Sequence, residues 1–159
     1  MPAVEATAVL PIAAERAFEL AHELGELRAA WDRDVVASRL IRGAEDQGEG
    51  VSRFERTRLG RRLILRTTMW HPPLASSCTM TKGPAWLREY GESVRVEPLG
   101  EERCRLTWKI AAKLAAPVLP GAAGALSEPL LRAGLERRVA ALAEAAELLA
   151  EEPGGAGDS

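Results

Sequence analysis

The chain is poor in the residues from which metal sites and thiol chemistry are built. It contains two histidines, His22 and His71, and two cysteines, Cys78 and Cys104, within 159 residues. No cluster of histidine, cysteine and carboxylate residues has the spacing of a metal site. Two cysteines in a chain that we expect to be cytosolic are typical of free core thiols rather than of a disulfide. The sequence therefore predicts neither a metal nor another cofactor.

Long apolar runs and an excess of one charge are also missing. No stretch approaches the roughly 18–20 apolar residues of a membrane span, and the N-terminus lacks the features of a signal peptide. The formal net charge of -2 gives no electrostatic reason to expect nucleic acid or an anionic membrane as partner. We expect a cytoplasmic protein without a membrane span or a nucleic-acid partner, either a monomer or a homodimer.

Signatures of covalent catalysis are absent as well. Ser76 and Ser77 lack the G-x-S-x-G turn of a hydrolase, and no Ser-His-Asp set is suggested. His22 lies in the first helical segment, where a surface or half-buried position is expected. His71 precedes two prolines, which lack amide donors and end strands, so we interpret it as a corner near solvent. The alternative is that His71 is a general acid or base beside a site.

The periodicity of the apolar residues predicts an α+β fold. A strand and two short helices come first, six strands follow, and a long amphipathic helix comes last. The predicted strands lie at 3–12, 35–43, 51–59, 62–70, 74–83, 85–99 and 103–113, and the helices at 13–24, 25–34 and 127–152. A sheet with one apolar face has to be covered, and only the last helix is long enough to cover it. Residues 1–151 are therefore predicted to form one domain, followed by a disordered tail at 152–159.

The segment 51–70 predicts a hairpin with its turn at residues 60–61. The resulting inner face pairs Phe54 with Thr67, Arg56 with Leu65, and Ser52 with Met69. A slip of one residue would invert the two faces of the hairpin. Arg56 is then a charge that faces an apolar interior, which is costly unless the charge is paired or binds a ligand carboxylate or phenolate. The alternative is that Arg56 lies near a rim and reaches water along its apolar stem.

The next two strands extend this face. Arg88 and Glu92 fall in phase with Tyr90 on the inner side of their strand, and Leu106 and Trp108 do so on the last strand. The intervening loop sets Val94 opposite Leu106 and Tyr90 opposite Ile110. Arg88 is a second candidate for contact with an acidic ligand group, with the same rim alternative.

Several stretches in this order resemble the START/Bet v 1-like superfamily (SRPBCC), specifically its bacterial polyketide cyclase/dehydrase and lipid-transport branch. They are "VEATAVLPIAAERAFELAHEL", Trp31 in "LRAAWDRDV", "GEGVSRFE", "MWHPPLAS", "VEPLGEERCRLTW" and the terminal helix, which together cover roughly residues 3 to 150. The resemblance implies a helix-grip fold: a curved antiparallel sheet of about seven strands wrapped around a long C-terminal helix. It implies a cavity for a hydrophobic small molecule between sheet and helix, but the family shares a shape rather than a reaction.

Three functional hypotheses follow. The first is non-covalent binding of a lipid, quinone or polyketide-like compound; the second is a polyketide aromatase/cyclase that promotes aldol cyclisation and dehydration; the third is docking on a partner protein. For catalysis the candidates are His71, Arg56 and Tyr90. The predicted ligand-binding residues are Phe54, Arg56, Leu65, Thr67, Met69, Arg88, Tyr90, Leu106, Trp108 and Leu135.

Overall fold

The computed structural model describes residues 3–115 and 120–152, with side chains for 3–115 and 128–152. The predicted order of elements is confirmed, with shifts of a few residues at the ends. The strands are β1 (Ala3–Leu10), β2 (Val35–Leu40), β3 (Ser52–Thr57), β4 (Arg62–His71), β5 (Ala75–Lys82), β6 (Leu87–Gly100) and β7 (Arg103–Leu114), and the helices are α1 (Ala14–Ala21), α2 (Gly25–Trp31) and α3 (Pro120–Glu151).

The seven strands form one curled antiparallel sheet in the order β1-β7-β6-β5-β4-β3-β2. Strands β2 to β7 follow each other through short connections, whereas α1 and α2 carry the chain from β1 at one edge to β2 at the other. The long helix α3 packs against β1 and β7. The α+β helix-grip fold is therefore confirmed.

The apolar stripe predicted on α3 is the part of the helix that faces the sheet. Leu135, Val139, Leu142 and Ala146 are buried, at intervals of three and four residues that place them on one helix face. Leu131 and Leu149 pack partly buried at either end of this stripe. The helix begins at Pro120, seven residues before the predicted start at residue 127. Of the predicted disordered tail at 152–159, residues 153–159 lie outside the described part of the chain.

The predicted register of the β3–β4 hairpin is wrong by three residues. Phe54 pairs with Ile64 and Arg56 with Arg62. The turn has three residues, 58–60, closed by a hydrogen bond of 2.8 Å from the Thr57 amide to the Arg61 carbonyl, and Gly60 ends it with a φ of 88°. Because an odd shift exchanges the two faces of a strand, Arg56 is exposed, and Arg53 and Glu55 point inward in its place.

The predictions that Met69 and Arg88 lie on the inner face of the sheet are wrong, because a β-bulge lies next to each residue. One lies between Thr67 and Met69 in β4, so that Thr67 is buried, Met69 is only half-buried, and Trp70 packs against the core. The other lies between Leu87 and Glu89 in β6. An extra residue in one strand changes which side chains point inward, so Leu87 is buried and Arg88 is exposed.

The predicted pairing of β6 with β7 is wrong by two residues. Val94 lies opposite Trp108 rather than Leu106, and Tyr90 lies opposite Ala112 rather than Ile110. A shift of two keeps each side chain on its predicted face. Tyr90, Val94, Leu106 and Trp108 are accordingly all buried.

Replacing Leu142 with alanine tests the packing of α3. The Leu142 side chain is completely buried, so the substitution leaves a cavity and is expected to lower the free energy of unfolding by about 2–5 kcal/mol. Leu148→Ala on the same helix is the control, since Leu148 is 65% exposed and should change stability little. Urea denaturation measures both, and equal effects would contradict the assigned face of α3.

Candidate functional site

The structure contains a large cavity at one end of the sheet. Its volume is about 1000 Å³, and it lies between the β3–β4 hairpin, the β5–β6 connection, the end of β7 and residues 130–138 of α3. Buried apolar side chains form much of its wall: Leu63, Leu87, Ile110, Ala112 and Leu135, together with the ring of Tyr90. We call this space the larger cavity.

The opening of the larger cavity is lined by exposed side chains that we call the rim. The rim consists of Arg58, Leu59, Arg62, Lys82, Trp86, Leu130 and Arg137. Three of these are large apolar residues, with Leu59 97%, Trp86 55% and Leu130 73% exposed. The other four are cations, so the rim combines apolar surface with positive charge.

Glu92 on β6 lies buried near the inner end of the larger cavity and accepts hydrogen bonds from three elements. The Tyr90 hydroxyl donates to Oε2 at 2.5 Å, and Trp108 Nε1 donates to Oε1 at 3.0 Å. Arg138 Nη1 of α3 reaches the same Oε1 at 3.5 Å. A single carboxylate therefore joins β6, β7 and the long helix.

Arg138 also contacts a second buried carboxylate, Asp32 at the end of α2. Arg138 Nε lies 3.1 Å from Asp32 Oδ2, although its N–H is not aligned for a hydrogen bond. Arg28 Nε donates to Asp32 Oδ2 at 2.8 Å, and the Asp34 amide donates to Oδ1 at 3.0 Å. Asp32 thus connects α2, the entry to β2 and α3.

A third pair, of half-buried Arg53 and buried Glu55, completes the group that we call the charged network. Arg53 Nε donates to Glu55 Oε2 at 2.8 Å, and Arg53 Nη2 lies 3.5 Å from Cys78 Sγ. The network contains three cations and three carboxylates, namely Arg28, Arg53, Arg138, Asp32, Glu55 and Glu92. The charges balance, which is the condition under which buried ions are tolerated.

The indole of Trp108 packs within this network. The guanidinium carbon of Arg28 lies 5.3 Å from the Trp108 ring centre, and that of Arg138 lies 5.2 Å from it. The negative face of an aromatic ring attracts a cation at this distance. Trp108 therefore contacts both arginines through its ring and Glu92 through its N–H.

Burial and neighbouring charges shift the pKa values of these groups. Burial disfavours the charged form of Glu92, but Arg138, Arg53 and the Tyr90 hydrogen bond outweigh it and lower the Glu92 pKa to about 2. The same balance against Arg138 and Arg28 holds the pKa of Asp32 below its ordinary value. Burial and the Glu92 charge raise the pKa of Tyr90 well above its ordinary value. At neutral pH both carboxylates are charged and Tyr90 keeps its proton.

His22 and Ser76 form a hydrogen-bonded pair that the sequence did not suggest. His22 Nδ1 lies 2.6 Å from the Phe18 carbonyl oxygen, which only accepts, so Nδ1 carries the proton. His22 Nε2 is then the acceptor of the Ser76 hydroxyl, at 2.5 Å. Burial lowers the His22 pKa to about 4, so the ring is neutral at pH 7. The partners are separated by 54 positions in the sequence, which explains why no local motif reveals the pair.

Beside this pair lies a smaller cavity of about 20 Å³. Its polar lining includes His22, Ser76, Arg28, Arg53 and Glu92. A space of this size holds one water molecule. The Ser76 hydroxyl therefore has no room beside it for a substrate, and His22 is oriented by a carbonyl rather than by a carboxylate. We interpret the pair as a structural contact between α1 and β5.

Of the residues predicted to bind a ligand, some lie at a cavity and others do not. Phe54, Tyr90 and Leu135 line the larger cavity, and Thr67 and Trp108 line the smaller one. Leu65 and Leu106 are completely buried in the core and line neither cavity. Arg56, Arg88 and Met69 also line neither, because the hairpin register and the two bulges turn them away.

Among the catalytic candidates, only Tyr90 faces a cavity. His71 ends β4 as an exposed residue, and the Leu74 amide donates to its carbonyl at 2.8 Å in the following turn. Arg56 is exposed on β3. Sequence reasoning placed Glu92 on the inner face but did not select it, and it missed Arg28, Asp32 and Arg138. The missed signal is the position of Arg138, which lies three residues after Leu135 and four before Leu142 and therefore falls on the apolar stripe of α3.

Residues 3–115 and 120–152, the part of the chain that the structure describes, offer neither a metal cluster nor a membrane-spanning helix. No group of three or more histidine, cysteine, aspartate or glutamate residues is placed there to hold a metal ion. No helix in those ranges is long and apolar enough to cross a membrane.

Comparisons with known proteins identify the family and the fold. A family model described as polyketide cyclase / dehydrase and lipid transport matches residues 1–147. A search of curated proteins finds no match. Among solved structures, a START superfamily protein from Mycobacterium smegmatis has a TM-score of 0.74 at 15% identity, covering 92% of this chain and 98% of that one.

Two enzymes have similar structures. The Zhui aromatase/cyclase of a Streptomyces species has a TM-score of 0.79 at 16% identity, covering 96% of this chain and 97% of that one. A point mutant of norcoclaurine synthase from Thalictrum has a TM-score of 0.66 at 14% identity, covering 92% of this chain and 94% of that one. At these identities the similarity shows the fold alone.

Replacing Glu92 with glutamine tests the charged network. The amide has nearly the same shape but leaves Arg138 and Arg53 without one of their compensating charges, so we expect the free energy of unfolding to fall by about 3 kcal/mol. Glu97→Gln is the control, because Glu97 is exposed and pairs with Arg105 at the surface, where such pairs contribute about 0–1 kcal/mol. Urea denaturation at pH 7 distinguishes the two variants. An unchanged free energy of unfolding in Glu92→Gln would overturn the stabilising role of the network.

The shifted His22 pKa predicts a pH dependence of stability. Between pH 6.5 and about 4 the unfolded chain protonates this histidine and the folded chain does not, so stability falls as the pH falls. The loss from His22 amounts to at most about 3 kcal/mol. In His22→Asn this loss is expected to disappear, whereas exposed His71→Asn should retain it. Denaturant titrations at pH 4.5, 5.5 and 7 measure the slope, and an unchanged slope in His22→Asn would contradict the assignment.

Proposed function

Because the chain belongs to the polyketide cyclase / dehydrase and lipid transport family, we propose that it binds a hydrophobic small molecule in the larger cavity. The ligand is a lipid, a quinone or a polyketide-like compound. The observation that carries the proposal is an apolar-walled space of about 1000 Å³ that opens to solvent at the rim. Ligand sites of this kind have volumes of about 300–1,000 Å³ and mostly apolar walls with a few polar groups.

Small residues explain why the cavity is not filled. Ala112 on β7 and Gly134 on α3 both line it. A Cβ atom built on Gly134 would have only Arg137 Nη2 within 4 Å, at 3.7 Å. Protein interiors are otherwise close-packed, so a space of this size beside small residues is typical of a binding site rather than of a core.

The polar groups at the inner end of the cavity are already paired with each other. Tyr90 and Arg138 line the cavity, but the Tyr90 proton is donated to Glu92 and the Arg138 charge is balanced by Asp32 and Glu92. An apolar ligand therefore meets no uncompensated charge there. The lone pairs of the Tyr90 oxygen remain able to accept one hydrogen bond from a ligand hydroxyl.

Cyclisation of a polyketide is the second candidate function, and it is favoured by Tyr90 and Arg138 in the cavity wall. A cyclase would hold a flexible poly-β-ketone in a reactive shape, and Arg138 beside an enolate oxygen would stabilise its charge. Tyr90 would orient the substrate, whereas His71 and Arg56 lie outside the cavity. Formation of a cyclised, dehydrated product from a carrier-bound poly-β-ketone, lost in Tyr90→Phe, would favour this function over binding alone.

The direct test of binding is native mass spectrometry of the purified protein, followed by extraction with organic solvent. A carrier is expected to retain an apolar compound that extraction releases. Protein that purifies empty and fails to take up a neutral apolar dye would count against the proposal.

Filling the cavity provides a matched pair of variants. Gly134→Phe places a ring in the open space and is expected to weaken binding of a neutral apolar dye at least tenfold, because the ring occupies ligand volume. Gly134→Ala adds only a methyl group, so it should bind as the wild type does and be more stable by up to about 1 kcal/mol, since alanine favours a helix. Fluorescence titration measures binding, and unchanged affinity in folded Gly134→Phe would place the ligand elsewhere.

A further inference from the structure

We propose that the ligand is an amphiphile with one acidic head group, bound with its tail in the larger cavity and its head at the rim against Arg61. The inference rests on the proposed function and adds a ligand class and an orientation to it. Three observations support it: the charges around the opening, an unpartnered donor and the balanced charges inside.

The charges around the opening are almost all positive. Arg58, Arg61, Arg62, Lys82 and Arg137 line the larger cavity near its opening, and the one carboxylate among the lining residues is Asp34. Asp34 contacts Arg137 at 3.8 Å. Residues 116–127, which precede the described side chains of α3, contain no acidic residue. The chain as a whole carries a formal charge of -2, so this positive region is local.

Arg61 supplies a hydrogen-bond donor without a protein acceptor. Its guanidinium carbon lies 5.5 Å from the centre of the Tyr90 ring, so the side chain extends along the cavity wall. Its Nε atom is buried and has no hydrogen-bond partner among the described residues. A buried N–H without an acceptor is costly, and a carboxylate or phosphate of a ligand would satisfy it.

The orientation follows from the difference between the two ends of the cavity. At the inner end, Arg138 is compensated by Asp32 and Glu92, so it attracts a ligand anion less strongly than an uncompensated cation does. At the outer end the cations exceed the carboxylates, and Leu59, Trp86 and Leu130 offer apolar contact beside them. The acidic head is therefore more stable at the rim, and the tail is more stable inside.

Three ten-carbon probes that differ only in the head group test the proposal. Decanoate, decanol and decyltrimethylammonium are titrated below their micelle-forming concentrations at low salt, each displacing a neutral apolar dye. Decanoate is expected to bind at least tenfold more tightly than decanol, and the cation most weakly. The preference for decanoate should shrink at high salt because screening weakens the attraction.

Two variants assign the preference to Arg61. Arg61→Gln is expected to weaken decanoate about tenfold and to leave decanol within twofold of the wild type. Arg95→Gln is the matched control, since Arg95 is an exposed arginine on β6 that does not line the cavity. It should leave all three affinities unchanged. Equal losses of decanoate and decanol in Arg61→Gln would overturn the assignment and indicate damage to the cavity.

The outcomes separate this inference from the proposed function. If decanol and decanoate bind equally, the head-group inference fails and the cavity function stands; if the protein takes up neither the dye nor any of the probes, both fail. An acidic amphiphile can also be presented as a membrane lipid, so flotation with phosphatidylcholine vesicles, with and without phosphatidylglycerol, forms a further arm. Binding to the anionic vesicles alone, without binding of free decanoate, would overturn the proposal in favour of a membrane-docking surface.

Discussion

The structure depends on the ion pairs that Arg138 makes with Glu92 and Asp32. Each of these groups is buried, and none would be stable there alone, because a charge removed from water needs an opposite charge and hydrogen bonds. Arg138 belongs to α3, Asp32 follows α2, and Glu92 lies in the middle of the sheet. The requirement for pairing therefore fixes the position of the long helix against the rest of the fold.

The cavity is a consequence of how α3 is held. Its second half packs through Val139, Leu142 and Ala146 against the core, and Arg138 anchors the boundary. The preceding residues, from Leu130 to Leu135, extend over the open end of the sheet, where Gly134 leaves space. The second half of the helix thus closes the core, while the residues from Leu130 to Leu135 form a wall of the larger cavity. The charged network separates the two regions, so the site has a polar inner end and an open, cationic outer end.

The elements of the fold were predictable from local patterns. Strand β7, the first short helix and the stripe on α3 each showed the periodicity of their structure, and the order of motifs resembled one family. The site was less predictable. Gly60 is the third residue of the hairpin turn, whereas the prediction made it the first. With the observed turn, Arg56 lies at the surface, and Arg53 and Glu55 point to the interior. The bulges at Thr67/Met69 and Leu87/Glu89 had the same effect on Met69 and Arg88.

The sequence by itself determined the fold class, the order of its elements and the face of the terminal helix that is buried, because these follow from the spacing of apolar residues along a single segment. Only the tertiary structure decided which charges meet. Asp32, Glu92 and Arg138 come from three distant segments of the chain. His22 and Ser76 likewise come from two distant segments. Their pairing depends on the register of the strands and on the β-bulges. A shift of one residue in either exchanges the inner and outer faces of a strand, and the periodicity of a single strand does not reveal such a shift.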